Sequence, residues 1–160
     1  MNAKMERFPS AVRVREQGSS TQELMSQQID VLIVDPSGED AARTAAAIRK
    51  RIPNAITAHV PTATEAQALL FDVAPAKTRL IIIDVIATGE SGKEMLRRLR
   101  AVDATRAIPV IIFSASRGPG DLLQSYLLGA QMNIVKPVEA DEYAKQVERA
   151  MTGWFGKTLA

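Results

Sequence analysis

The sequence predicts a doubly wound α/β fold: five parallel strands alternating with five helices that cover both faces of one sheet. Three observations predict it. Five short apolar runs, rich in Ile and Val, are spaced through the chain, as strands buried on both faces require. Amphipathic helical patterns separate them, and a strand-helix alternation of this kind makes a parallel sheet. Four of the runs end on a polar residue, Asp35, Asp84, Ser114 or Lys136, which places all four at the carboxyl edge of the sheet.

The central run is Arg79-Leu-Ile-Ile-Ile-Asp84, followed by a turn and by Ser91-Gly-Lys-Glu94, a capping box that predicts a helix start. Ile29-Asp-Val-Leu-Ile-Val-Asp35 is the first strand. Pro36-Ser-Gly-Glu-Asp40 then turns into an alanine-rich helix that Pro53 stops near Arg51. Ala55–Val60 is a second strand, nearer the sheet edge. A second capping box, Thr62-Ala-Thr-Glu65, opens a helix with Ala66, Leu69, Leu70 and Val73 at core-facing spacing. The helix after Asp84 turns Met95, Leu96, Leu99 and Val102 inward. Arg97, Arg98 and Arg100 fall on its solvated face. Ile108-Pro-Val-Ile-Ile-Phe-Ser114 is the fourth strand, and Gly118-Pro-Gly-Asp121 opens a helix that Gly129 closes as a C′ residue. Met132-Asn-Ile-Val-Lys136 is the fifth strand. The last helix aligns Tyr143, Val147, Ala150 and Trp154 on one face.

Three regions follow. Residues 1–28 are polar, with few large apolar side chains, and are expected to be a flexible extension or a loosely attached helix. Residues 29–152 carry the patterned domain, and 153–160 form a C-terminal tail. The 160 residues suit a single domain, 46% hydrophobic and 24% charged. A net charge of +2 is too small to imply nucleic acid as a partner. The absence of cysteine excludes disulfides, thiolate nucleophiles and Cys-based zinc sites. The single histidine, His59, excludes multi-histidine metal sites and reads as structural. No apolar run is long enough for a membrane span, so the expected location is the cytoplasm.

Two carboxylates at one sheet edge favour a hard divalent cation, most plausibly Mg²⁺. A lysine and a hydroxyl opposite them suit phosphate oxygens. Together they describe phosphoryl transfer onto a carboxylate. Asp35, Asp84 with Gly92 eight residues on, Ser114-Ala115, Gly129-Ala130 and Lys136-Pro137 resemble the receiver domain of two-component response regulators across roughly residues 29–152. The resemblance implies a flavodoxin-like sheet of order 2-1-3-4-5. It implies that Asp84 accepts a phosphoryl group from a histidine kinase, with Lys136 and Ser114 binding the phosphoryl oxygens. Mg²⁺ would be held by Asp35, Asp84 and the backbone carbonyl of Ile86. Ala115 would leave room for the phosphodonor, and the Lys136–Pro137 bond would be cis.

Three positions depart from that family pattern. Pro36 stands where a second acid is usual, so Mg²⁺ binding is expected to be weak unless Glu39 or Asp40 compensates. Thr88 replaces a proline. Asn133 replaces the aromatic residue whose swing normally reports a hydroxyl shift at Ser114, so a signal must leave by another route. The tail around Trp154 and Phe155 resembles the small single-domain regulators of phytochrome-type histidine kinases, which pair through the last strand, last helix and tail. A homodimer is therefore expected, with no output domain and no DNA binding. The expected function is that of a signalling protein, phosphorylated on Asp84 and slowly self-dephosphorylating, and not a conventional enzyme. The alternative is a pseudo-receiver, a phosphorylation-independent protein-interaction module. A flavin- or nucleotide-binding reading is poorly supported, because the first strand-helix turn has one glycine and two acids.

Overall fold

The computed structural model describes residues 13–14, 28–73, 78–115 and 118–155. Five strands run parallel: β2 (Val31–Val34), β3 (Thr57–Val60), β4 (Ile81–Ile83), β5 (Val110–Ser114) and β6 (Met132–Val135). They lie side by side as β3-β2-β4-β5-β6, the 2-1-3-4-5 order that the resemblance implied. The pairing is in step, with Val34 opposite both Val60 and Ile83, and Ile83 opposite Ile112.

A sixth strand departs from the expectation for the N-terminal extension. Residues Arg13–Val14 form β1, antiparallel to β3, with Arg13 opposite His59 and Val14 opposite Ala58. An uncovered β3 would present a row of unpaired backbone groups, and even a two-residue strand masks part of it. Two residues are too few to carry a periodicity, so no pattern marks this strand. Residues 1–12 and 15–27 of the extension lie outside the described residues.

The helices are α1 (Gly38–Arg51), α2 (Ala63–Gln67, continuing as a π-helical segment Ala68–Val73), α3 (Val85–Ala101), α4 (Pro119–Leu127) and α5 (Ala140–Phe155). Alternate strand residues face opposite ways, and each face has its own apolar layer. Leu32, Val34, Ile81, Ile83 and Ile112 pack with Ala66, Leu70, Met95, Leu96 and Leu99 of α2 and α3. Val31, Ile33, Ile82, Ile111 and Phe113 pack with Ala47 and Ile48 of α1 and Tyr143, Val147 and Met151 of α5. Each fully buried side chain of this size contributes about 1.5–3 kcal/mol. Trp154 folds back onto this second layer, half-buried. No helix among the described residues is long and apolar enough to cross a membrane.

Helix starts follow the sequence with one addition. Ser37 caps α1 by accepting from the Asp40 amide, and Thr62 caps α2 by accepting from the Glu65 amide. Ahead of the helix expected from Ser91 lies a further short helical turn from Val85, capped by Asp84, which accepts from the Ala87 amide. Gly89, at φ 65° and ψ −143°, then breaks the helical geometry, and Ser91 falls within the helix beyond that kink. Gly92 has no room for a side chain, since a Cβ there would collide with Thr88 Oγ1. Arg100 is not on a solvated face. Its guanidinium donates to the carbonyls of Arg106, Ile108 and Gly129 and so ties α3 to the loops around β5 and β6.

Layers α1 and α5 meet at Tyr143, which is 1% exposed. Its hydroxyl lies 2.8 Å from the Thr44 hydroxyl and donates to the Asp40 carbonyl at 3.1 Å. Burial pushes the phenol up to about 12, from an ordinary 10.0. The raised value makes the neutral phenol a stabilising group below pH 10, and that contribution is lost as pH rises from 10 toward 12. Chemical denaturation at increasing pH should therefore show a loss of stability across this window, and Tyr143→Phe should shrink it. An unchanged alkaline profile in the variant would show that Tyr143 is not held in this way.

Candidate functional site

The parallel ladder continues one residue past the strands and so fixes the site. The Asp35 amide donates to Val60 at 3.1 Å, the Asp84 amide to Val34 at 3.0 Å, and the Lys136 amide to Ser114 at 2.8 Å. Each polar residue thus begins where the apolar run ends, at the carboxyl edge. Lys136 Nζ donates to Asp35 Oδ2 at 2.7 Å, to Asp84 Oδ2 at 2.7 Å and to Asp40 Oδ2 at 2.9 Å. All three donors of the ammonium are accounted for. The remaining oxygens are held from behind, Asp35 Oδ1 by the Ser37 amide and Asp84 Oδ1 by the Ala87 amide. His59 Nε2 lies 2.8 Å from the Asp35 carbonyl oxygen, a structural contact beneath the site.

Burial and charge compete here. Burial opposes the positive charge of Lys136, but its hydrogen bonds to Asp35, Asp84 and Asp40 outweigh it and hold the lysine above its ordinary 10.5. For Asp35 burial wins over Lys136, and its carboxyl sits above the ordinary 3.8. Charged Asp35 therefore costs stability at neutral pH, a cost relieved as pH falls through its folded value.

Asp35, Asp84 and Lys136, three of the four residues predicted at strand ends, are in direct contact. Ser114 lies at the end of β5, 4% exposed, and its carbonyl receives the Lys136 amide. Asp40 is the residue that sequence reasoning left open. Of the two acids that could have answered Pro36, Glu39 points away and pairs with Arg43 at 2.6 Å, while Asp40 reaches Lys136. The signal was there in Ser37. With Ser37 as the cap, position 40 is the third residue of the helix, whose side chain reaches back over the helix start.

Ile86 follows Asp84 by two residues, in the first turn of α3 ahead of the kink. Thr88 donates its hydroxyl to the Asp84 carbonyl at 2.8 Å, tightening the same turn. Asn133 is half-buried in β6, opposite Ile112. The Lys136–Pro137 bond is trans, contrary to expectation. With that bond trans, the Lys136 side chain still reaches the three carboxylates. Among the described residues, no group of three acidic or histidine side chains is spaced to enclose a metal ion.

Comparison with known proteins agrees with this geometry. Residues 31–148 match the response regulator receiver domain family. The chain is similar to two-component response regulator ORR6 of Oryza sativa subsp. japonica, 30% identical over 122 residues, 76% of this chain and 71% of ORR6. The match spans 50% of one other curated relative and 18% of another. Two solved structures share the fold at 20% identity. One is the phosphorylated cyanobacterial phytochrome response regulator RcpA, with a TM-score of 0.74 over 82% of this chain and 96% of that one. The other is the Mn²⁺-bound form of response regulator Rcp1, with a TM-score of 0.72 over 81% and 96%. The family match over most of the chain, on a sheet of the same order with its acids and lysine at one edge, makes this chain a response regulator receiver domain of two-component signalling.

Proposed function

We propose that Asp84 accepts a phosphoryl group from a phosphohistidine of a sensor kinase. The observation that carries this reading is the clasp of Asp84 and Lys136 at the buried end of the central strand. An Asp84 carboxylate oxygen attacks phosphorus, the N–P bond of the phosphohistidine breaks, and the imidazole leaves with that bond's electron pair. Lys136 supplies positive charge to the phosphoryl oxygens, and Ser114 supplies a hydroxyl from the adjacent strand end. Hydrolysis of the acyl phosphate returns the carboxylate, so the protein acts as a timed signal and not as a conventional enzyme. Its place is the cytoplasm, beside the kinase. A phytochrome-type kinase is favoured by the likeness to RcpA, a phytochrome response regulator.

Two carboxylates side by side at the sheet edge, Asp35 and Asp84, are the groups that would attract a divalent cation. Asp35, Asp84 and the Ile86 carbonyl would hold Mg²⁺, which would offset the negative charge of the incoming phosphoryl group. Rcp1, with its Mn²⁺, has the same fold. Binding is weak in this reading, because Oδ2 of each acid already faces Lys136. The same saturation favours the second reading, a pseudo-receiver whose clasped pocket no longer takes phosphate. Incubation with acetyl phosphate and Mg²⁺, followed by intact mass, separates the two. One added phosphate, absent in Asp84→Asn, is expected. No uptake by the unaltered chain, or uptake that survives the substitution, would refute the phosphoacceptor reading.

We also infer that the protein pairs with a second copy of itself through β6, α5 and the tail. Val135 on β6 and Val138 after it are exposed, 38% and 92%, beside the last helix. Trp154 contributes less than its size suggests, because it packs against its own core. The side chain of Phe155 and residues 156–160 lie outside the described residues. Sedimentation of the full chain against a truncation after Met151 should show weaker association in the truncation. Two monomers, or equal dimers, would remove the tail from the interface.

A further inference from the structure

Asp40 belongs to two sets of contacts at once. Its side chain ends on Lys136 Nζ, 2.9 Å away in the acceptor pocket. Its main-chain carbonyl, on the opposite side of the first turn of α1, accepts from the Tyr143 hydroxyl at 3.1 Å and the Thr44 hydroxyl at 3.0 Å. Tyr143 lies on α5, and its ring sits 4.8 Å from that of Phe113, the residue before Ser114. A continuous path of direct contacts therefore runs from Asp84 through Lys136, Asp40 and Tyr143 to α5. Asn133, where a reporting aromatic ring was missing from the sequence, lies off this path on β6.

We propose that Asp40 is a positioning residue for Lys136, and that its carbonyl makes Tyr143 on α5 the reporter of that lysine's state. The proposal rests on Asp84 being the phosphoacceptor. An ammonium has three donors, and all three are in use. A phosphoryl oxygen on Asp84 adds an acceptor, so one existing bond must be given up. Asp35 and Asp84 are fixed by the ladder and by backbone amides behind them. Asp40 is the most exposed of the three, at 26%, stands on a helix turn, and has another cation waiting, with its Oδ1 3.7 Å from Arg43. Asp40 is thus the partner that Lys136 releases. Its side chain turns to Arg43, the first turn of α1 shifts, and the carbonyl under the Tyr143 hydroxyl shifts with it. The α1–α5 layer then carries the change.

The test uses hydrogen exchange of α5 and emission of Trp154, the single tryptophan, which lies on α5. On phosphorylation by acetyl phosphate, exchange at α5 should change by about fivefold or more, the range of ordinary site coupling. Tyr143→Phe should take up phosphate yet lose that change. Asp40→Asn should take up phosphate more slowly and also lose it, while Glu39→Gln should match the unaltered chain. A Tyr143→Phe protein that keeps the full response, or an Asp40→Asn protein with unaltered uptake, overturns the proposal. If the unaltered chain takes no phosphate, the phosphoacceptor reading fails by itself. The coupling is then judged in unphosphorylated protein. Lys136→Met should alter α5 exchange alone but not on top of Tyr143→Phe, and additive effects overturn it.

Discussion

One buried ammonium, that of Lys136, holds the carboxyl edge of this sheet together. Three carboxylates from three elements converge on it, and only one of them, Asp40, is appreciably exposed. Three acids this close repel one another if left alone. With Lys136 they share one counter-charge, and the clasp persists because each acid is also anchored elsewhere. Removing one partner from a buried set of this kind costs about 3–5 kcal/mol, because the charge left behind is unpaired. The arrangement therefore does little to strengthen the fold but fixes where its charges lie.

The rest of the fold serves that placement. β2, β4, β5 and β6 deliver Asp35, Asp84, Ser114 and Lys136 because the parallel ladder continues one residue past each apolar run. The two apolar layers hold the strands in step, and a shift of register by one residue would exchange side chains between the two layers and move the strand-end acids away from Lys136. Gly92 and Gly89 let α3 start directly from Asp84: the first leaves room for Thr88 and the second supplies a backbone angle that other residues avoid.

Much of this was legible in the sequence. Five apolar runs, four of them ending on polar residues, marked the sheet and its working edge, and spacing alone put Asp35, Asp84 and Lys136 there. What was not legible depended on contacts between elements. Asp40 looked like one of two helix-start acids, and its contact with Lys136 across the site distinguishes it from Glu39. Tyr143 read as a core residue, which it is, but its hydroxyl meets α1 across ninety-nine positions of chain to Thr44. β1 was too short to show a period. The short turn that Asp84 caps ahead of Gly89 left no local signal, because the sheet places that cap.

The contact of Lys136 with three carboxylates at one sheet edge is what the rest depends on. The most direct measurement is a carboxyl-carbon NMR titration of the aspartates in the unaltered chain and in Lys136→Met. Asp35 should titrate above its ordinary 3.8 in the unaltered chain, because burial already outweighs the lysine. In Lys136→Met it should move higher still, since the burial remains and the opposing hydrogen bond is gone. An identical Asp35 titration in the two proteins would contradict the account.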